Sequence, residues 1–286
     1  MSRSTPNPLT SIRDVLVGTA VESERAESSA AIGYGLTLAK QAGAHLTVQS
    51  ASWRLSGDDS WLCEFDSIGA AAIDRRLDAL ARSIADRTAG NAAQAGVICT
   101  TETPSLSYPE VVSRLAARAR LHDLAILDAG PRTYDLDREI IEKTLFHSGR
   151  PVIAVPPDQT AFAARRVIVA WDGSAQAARA ANDALPFLRA AEAVEIVSVG
   201  EDEEIEASVP GAEFAPHLAR HGVSVSVNDL PARGPVAESL RAQAGLFRAD
   251  MIVMGAYRHS WTREHLFGGV TRSLLRSSPV PLFLSH

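Results

Sequence analysis

Two short runs in the C-terminal half hold the residues best suited to chemistry. The first is Trp171-Asp172-Gly173-Ser174, which follows the apolar run VIVA. The second is GAYRHSWTREHLFGGVTRSLL (255–275), which opens on Gly255 and carries Gly268 and Gly269 just ahead of a helix-like stretch. A carboxylate at a strand tip, as expected for Asp172, accepts a hydrogen bond from an exocyclic amine such as that of adenine. The plainer role for Asp172 is to cap the next helix, and Ser174 competes for it. Glycines at a helix start let an anion approach free N–H groups at the positive end of the helix dipole, with no Cβ in the way. Thr271 and Ser273 add hydroxyl donors. The plainer reading of Gly268-Gly269 is a tight turn and close helix packing.

Other candidates carry less. His217 and His221 are spaced for one helix face and for a metal, yet no third ligand lies within sequence reach. His259 and His265 fall inside the glycine-bearing loop, where they could stack or donate. Trp53 and Trp61 flank a polar loop and suit an interface better than a ligand. Cys63 and Cys99 have no activating neighbours and read as inert.

The elements that must position these residues occur twice. RDVLVGTA (13–20) is echoed by RRVIVAWD (165–172), DLAILDAG (123–130) by DMIVMGAY (250–257), and RPVIAVPP (150–157) by VPLFLSH (280–286). Similar runs in the same order indicate two copies of one unit, divided in PPDQTAFAAR (156–165) into 1–157 and 164–286. Within the first copy, strands are expected near 14–18, 45–50, 97–101, 123–128 and 151–155, and helices near 24–42, 66–94, 109–121 and 137–148. Within the second, strands are expected near 166–170, 194–199, 223–228, 250–254 and 281–284, and helices near 175–191, 213–221, 235–248 and 268–277. Ile73, Leu77, Leu80 and Ile84 mark one face of the long second helix. Runs such as VIVA and MIVM lack polar alternation, as a parallel sheet covered on both faces requires. Strands alternating with helices give right-handed parallel crossovers. The fold class is therefore α/β, as two tandem doubly wound domains of five parallel strands each. The acidic run EDEEIEASVPGAE (201–213) reads as solvated surface.

Composition narrows the partners. The chain has 286 residues, 46% hydrophobic and 22% charged, a soluble globular balance. Its net charge of −6 speaks against a nucleic-acid partner, whose footprint would be basic. No apolar run approaches the ~18 residues of a membrane span, and the polar N-terminus has no secretory h-region. With only two cysteines in no CxxC spacing, a cytoplasmic location is the expectation.

From the fourth strand of the second copy to the C-terminus, the chain resembles the universal stress proteins. The ATP-binding members carry glycine, two residues, glycine, nine residues, then glycine and Ser or Thr. That pattern maps onto Gly255, position 258, Gly268 and Gly269. The resemblance also implies that Asp172 meets the base, that Val199 touches it from the end of the second strand, and that Val270 and Thr271 belong to the phosphate-side helix. GPVAESLRAQAGLFRADMIVMG (234–255) and RSSPVPLFL (276–284) match the family too. Such a Rossmann-like domain would hold ATP or a related adenine nucleotide, with Mg2+. Two positions depart from the pattern: Arg258 replaces the second glycine, and Gly269 stands where Ser or Thr is usual. Arg258 either blocks the loop from wrapping phosphates or grips their oxygens bidentately.

The first copy has lost these parts. Ala20 stands for Asp172, Asp128 for Gly255, and Arg138 and Glu139 for the phosphate glycines. Carboxylates at 128 and 139 would repel a triphosphate. They could form an acid/base pair, though solvated carboxylates are the plainer reading. The family's dimers imply that the two copies pack face to face about a pseudo-two-fold axis, with VIAV (152–155) and LFL (282–284) as edge partners. A further pairing of whole chains into a homodimer stays open. Three functions follow: a nucleotide-binding stress or regulatory protein, an interaction protein with its pocket closed by Arg258, or a slow nucleotide hydrolase. The last has no general base in sight beyond Asp172.

Overall fold

The computed structural model describes residues 7–21, 29–54, 67–129, 134–200, 210–256 and 269–286. After a 3-10 turn at Pro8–Ser11, the first half runs β1 (Asp14–Val21), α1 (Ala30–Ala42), β2 (His45–Trp53), α2 (Ser67–Ala95), β3 (Cys99–Glu102), β4 (Ser105–Leu106), α3 (Tyr108–Ala119), β5 (Leu124–Asp128), α4 (Tyr134–Ser148) and β6 (Val152–Val155). The second half runs β7 (Arg166–Ala170), α5 (Ala175–Asp183), α6 (Leu185–Ala190), β8 (Ala193–Gly200), α7 (Gly211–Arg220), β9 (Val225–Pro231), α8 (Val236–Phe247), β10 (Met251–Gly255), α9 (Gly269–Ser277) and β11 (Leu282–Ser285). The strands form one sheet in the order β3-β2-β1-β5-β6-β11-β10-β7-β8-β9, with β4 pairing beside β3 on β2.

The central strands are apolar on both faces because both faces are covered. Val15 and Val17 of β1 and Val167 and Val169 of β7 face α1, α5 and α7, while Leu16 and Ile168 face the layer of α3, α4, α8 and α9. Helix starts follow local chemistry: the hydroxyls of Ser29 and Ser174 accept from the amides of Ile32 and Ala177. Three expectations need correction. The helix expected over 175–191 breaks at Ala184, because Pro186 sits in the first turn of α6 and cannot donate to a continuous ladder. The helix expected over 24–42 starts at Ala30, because Ser29 is extended and caps it; residues 22–28 lie outside the described residues. On α2, Leu77 and Ile84 are buried, but Ile73 is 44% exposed and lies off the packed face.

Each half is tied at the base of its central strands by one carboxylate. Asp123 accepts from the amides of Arg13 and Asp14 at 2.7 and 3.0 Å. Asp250 accepts from those of Arg165 and Arg166 at 2.8 and 2.9 Å. Each staple links β1 to β5 or β7 to β10, so the repeat extends to side-chain detail.

The halves join through strand edges. β6 and β11 pair antiparallel, Leu282 with Ala154, Phe283 with Ile153 and Leu284 with Val152. This corrects the expected face-to-face packing and keeps the expected edge partners. An apolar edge is satisfied most directly by another strand, which uses its N–H and C=O groups while its side chains stay covered. Phe162, between β6 and β7, wedges into the joint: its ring meets Tyr34 at 5.5 Å and Phe187 at 5.8 Å, and Phe187 meets Phe283 at 5.5 Å. Burial pushes the Tyr34 phenol well above its usual range.

Candidate functional site

In the second half, β7 is followed by α5 on one face of the sheet and its neighbour β10 by α9 on the other. The crevice between the carboxyl ends of β7 and β10 is thus a topological switch point, the usual ligand position in open α/β sheets. Register brings the strand-borne candidates to that end. Ala170 pairs with Met254 of β10 and Val197 of β8. Asp172 and Val199 therefore lie two positions beyond the pairing, and Gly255 one.

Asp172 is exposed, and its Oδ1 accepts from the Ser174 amide at 3.0 Å. The capping role goes to Ser174, whose hydroxyl accepts from Ala177 at 3.1 Å. Asp172 shapes the turn into α5 from a position two residues beyond the end of β7. Val199 is half-buried against the α8–α9 layer. Gly255 has a packing reason of its own: a Cβ there would lie 2.5 Å from the Ala177 nitrogen and 2.6 Å from the Gln176 carbonyl carbon. It lets β10 end flush against the first turn of α5.

Gly269 opens α9, and a Cβ built on it would meet no atom of the described residues within 4 Å. Among the described residues, space therefore exists beside the first amides of that helix, as an approaching anion requires. Val270 is half-buried and Thr271 buried, at 3% exposure. Ser273 is turned away, its Oγ accepting from both terminal nitrogens of Arg241 on α8 at 2.8 and 3.3 Å. Arg258, Gly268, His259 and His265 lie outside the described residues.

The first half fills the equivalent position from within. Val17 pairs with Ile126 as Val169 pairs with Val253, so Ala20 matches Asp172 and Asp128 matches Gly255. The Asp128 carboxylate accepts from the Ser29 hydroxyl at 2.6 Å and the Ala31 amide at 2.9 Å, with the Ala30 amide adding to them. Burial pushes its carboxyl above the usual range against those hydrogen bonds. Glu139 instead accepts from the Tyr108 hydroxyl at 2.9 Å. The supposed acid/base pair therefore splits between two unrelated sets of partners, and Asp128 is a half-buried helix cap. Nothing local marks it as one, because Ser29 lies 99 residues away in sequence.

The remaining candidates find packing roles. His217 Nε2 lies 3.1 Å from Asn182 Oδ1, and its ring stacks on Phe214, which stacks on the buried Trp171 at 4.1 Å. His221 meets His217 edge-on at 4.8 Å. Among the described residues no group of three metal-binding side chains occurs. Trp53 packs against Tyr108 at 5.4 Å, burial pushes the Cys99 thiol up, and Trp61 and Cys63 lie outside the described residues. No described helix is long and apolar enough to cross a membrane. The aromatic column Trp171–Phe214–His217 was not foreseen from sequence. Its one signal is the unusual Trp beside Asp172.

Comparison with known proteins places this arrangement. The model of the universal stress protein family matches residues 163–286. A universal stress protein from Archaeoglobus fulgidus DSM 4304 superposes over 95% of this chain and 96% of its own, with a TM-score of 0.71 at 18% identity. A Pseudomonas aeruginosa protein, whose assignment to the same family is itself provisional, superposes over 98% and 95%, with a TM-score of 0.61 at 15% identity. At such identities the likeness shows the fold, a tandem one spanning both halves. Comparison with curated protein sequences gave no match. Residues 163–286 match the universal stress protein family, and the whole chain shares the tandem fold of the Archaeoglobus universal stress protein.

Proposed function

We propose that the second half binds ATP or a related adenine nucleotide, with Mg2+, and that occupancy regulates the protein's association with partners. Family membership supports a role in the stress response. The chain then works as two domains, 1–157 and 164–286, of which only the second carries a ligand. Asp172 and Val199 would hold the base, while the backbone at Gly255, Gly268 and Gly269, with Val270 and Thr271 behind it, would seat the phosphates. Arg258 would add a guanidinium to the phosphate side. The observation that carries this reading is the convergence of Asp172, Val199 and Gly255 on one switch point, opposite a helix start that no described residue crowds at Gly269.

A second reading rests on Arg258 standing where the family's ATP-binding pattern has glycine. In that case the side chain closes the crevice and the protein acts through its surfaces alone. Protein purified without added ligand, denatured and examined by mass spectrometry, separates the two. Adenine nucleotide in the supernatant, with saturable ATP binding by calorimetry, supports the first. Its absence in both measurements leaves the second.

A further inference from the structure

The β6–β11 join relates the halves by a local two-fold axis. Ile153 and Phe283, which pair with each other, are equivalent residues. Counting outward from them, Phe146 corresponds to Arg276 and Ala154 to Leu284. Val155 and Ser285 pair alike with Asp128 and Gly255. Pro156 therefore corresponds to His286 and Ala129 to Ala256. On the face covered by α3, α4, α8 and α9 this symmetry generates two grooves, one on either side of the joined strands.

The two grooves are not alike. One is filled by two rings: Phe146 meets His286 edge-on at 4.6 Å, and His286 Nδ1 lies 2.9 Å from the Ala256 carbonyl oxygen. Its partner is lined by Ala129, Pro156 and Arg276, and there a cavity of about 620 Å3 stays open. The loss of both rings accounts for the space. Ala154 deepens it, because its counterpart is the larger Leu284. Leu274, Leu275 and Leu282 supply apolar walls. Small-molecule sites occupy about 300–1,000 Å3, favour domain junctions, and are apolar with a few placed polar groups.

The charged groups placed here are mainly cationic. Arg241 lines the cavity while two of its nitrogens rest on Ser273 Oγ, so its guanidinium is held in one orientation. Arg276 stands at the same cavity, and Asp158 is its one acidic lining residue. We propose that this groove binds a small aromatic monoanion: a flat ring takes the place that Phe146 and His286 fill on the other side, and its negative group meets Arg241. This site is separate from the strand-tip crevice, and neither depends on the other.

The test is calorimetry of the full chain with 2-naphthoate. Saturable binding of one molecule per chain is expected. Restoring the missing side chains in Arg276→Phe/Pro156→His should lower affinity at least about tenfold, by closing the groove as its partner is closed. Arg241→Gln should weaken 2-naphthoate about tenfold and leave neutral 2-naphthylmethanol unchanged. No saturable binding, or full binding in the double variant, overturns the proposal. If the double variant does not fold, Arg241→Gln decides alone: equal effects on the charged and neutral probes overturn it.

Discussion

The Asp128 carboxylate sits 2.6 Å from the Ser29 hydroxyl, whereas its counterpart Gly255 presents a bare Cα to Ala177. Both residues end the strand beside the central strand of their half, and both face the first turn of the helix that follows that central strand, α1 or α5. In one half the helix start is satisfied by an internal acid. In the other the strand runs directly against the helix backbone, and the nearby crevice is left to Asp172 and the α9 amides.

Gly255→Ala should destabilise the second half by about 1–3 kcal/mol, the usual cost of overpacking. The clash would be with backbone atoms of Gln176 and Ala177, which cannot rotate away. Urea unfolding of the variant measures it, and an unchanged midpoint would show that α5 shifts freely.

Asp128→Ala should cost about 1–3 kcal/mol, because it strands the Ser29 hydroxyl and the Ala31 amide. Asp128→Asn tests the charge separately. Burial raises the folded-state pKa of Asp128 above its ordinary value, so the native state binds this proton more tightly than the unfolded chain. Its contribution is fully present below the unfolded value and is lost as pH rises through the folded one. Stability relative to Asp128→Asn should therefore fall as pH climbs from acid toward neutral. A difference that grows in favour of the wild type would reverse the assignment.

Asp123→Ala and Asp250→Ala each remove an acceptor from two strand amides. Each should cost about 1–3 kcal/mol. The two sites share no partner, so the double variant should show the sum to within about 0.5 kcal/mol. A marked shortfall in chemical denaturation would mean that the halves unfold separately.

Asp172→Ala should weaken nucleotide binding about tenfold or more if its carboxylate reads the base amine. Arg258→Gly distinguishes obstruction from grip. Calorimetric affinity rises if the side chain fills the crevice and falls if it holds phosphate.

The repetition and the alternating strand and helix runs were legible in the sequence, because they rest on local patterns: β-branched runs, helical periodicity and recurring strings such as RDVLV and RRVIV; the edge partnership of VIAV with LFL came with the family resemblance. The approach of three candidate residues to one end of the sheet was legible too. Asp172, Val199 and Gly255 each close a readable strand, and strand ends in this topology converge.

The rest needed the folded chain. That Asp128 caps a helix start depends on Ser29, far away in sequence. The Trp171–Phe214 stack and the open groove beside Arg241 depend on which surfaces meet. Local sequence sets backbone preference and the apolar face of each element. Long-range packing decides which polar groups find partners and where unfilled volume remains, since both are differences between distant surfaces.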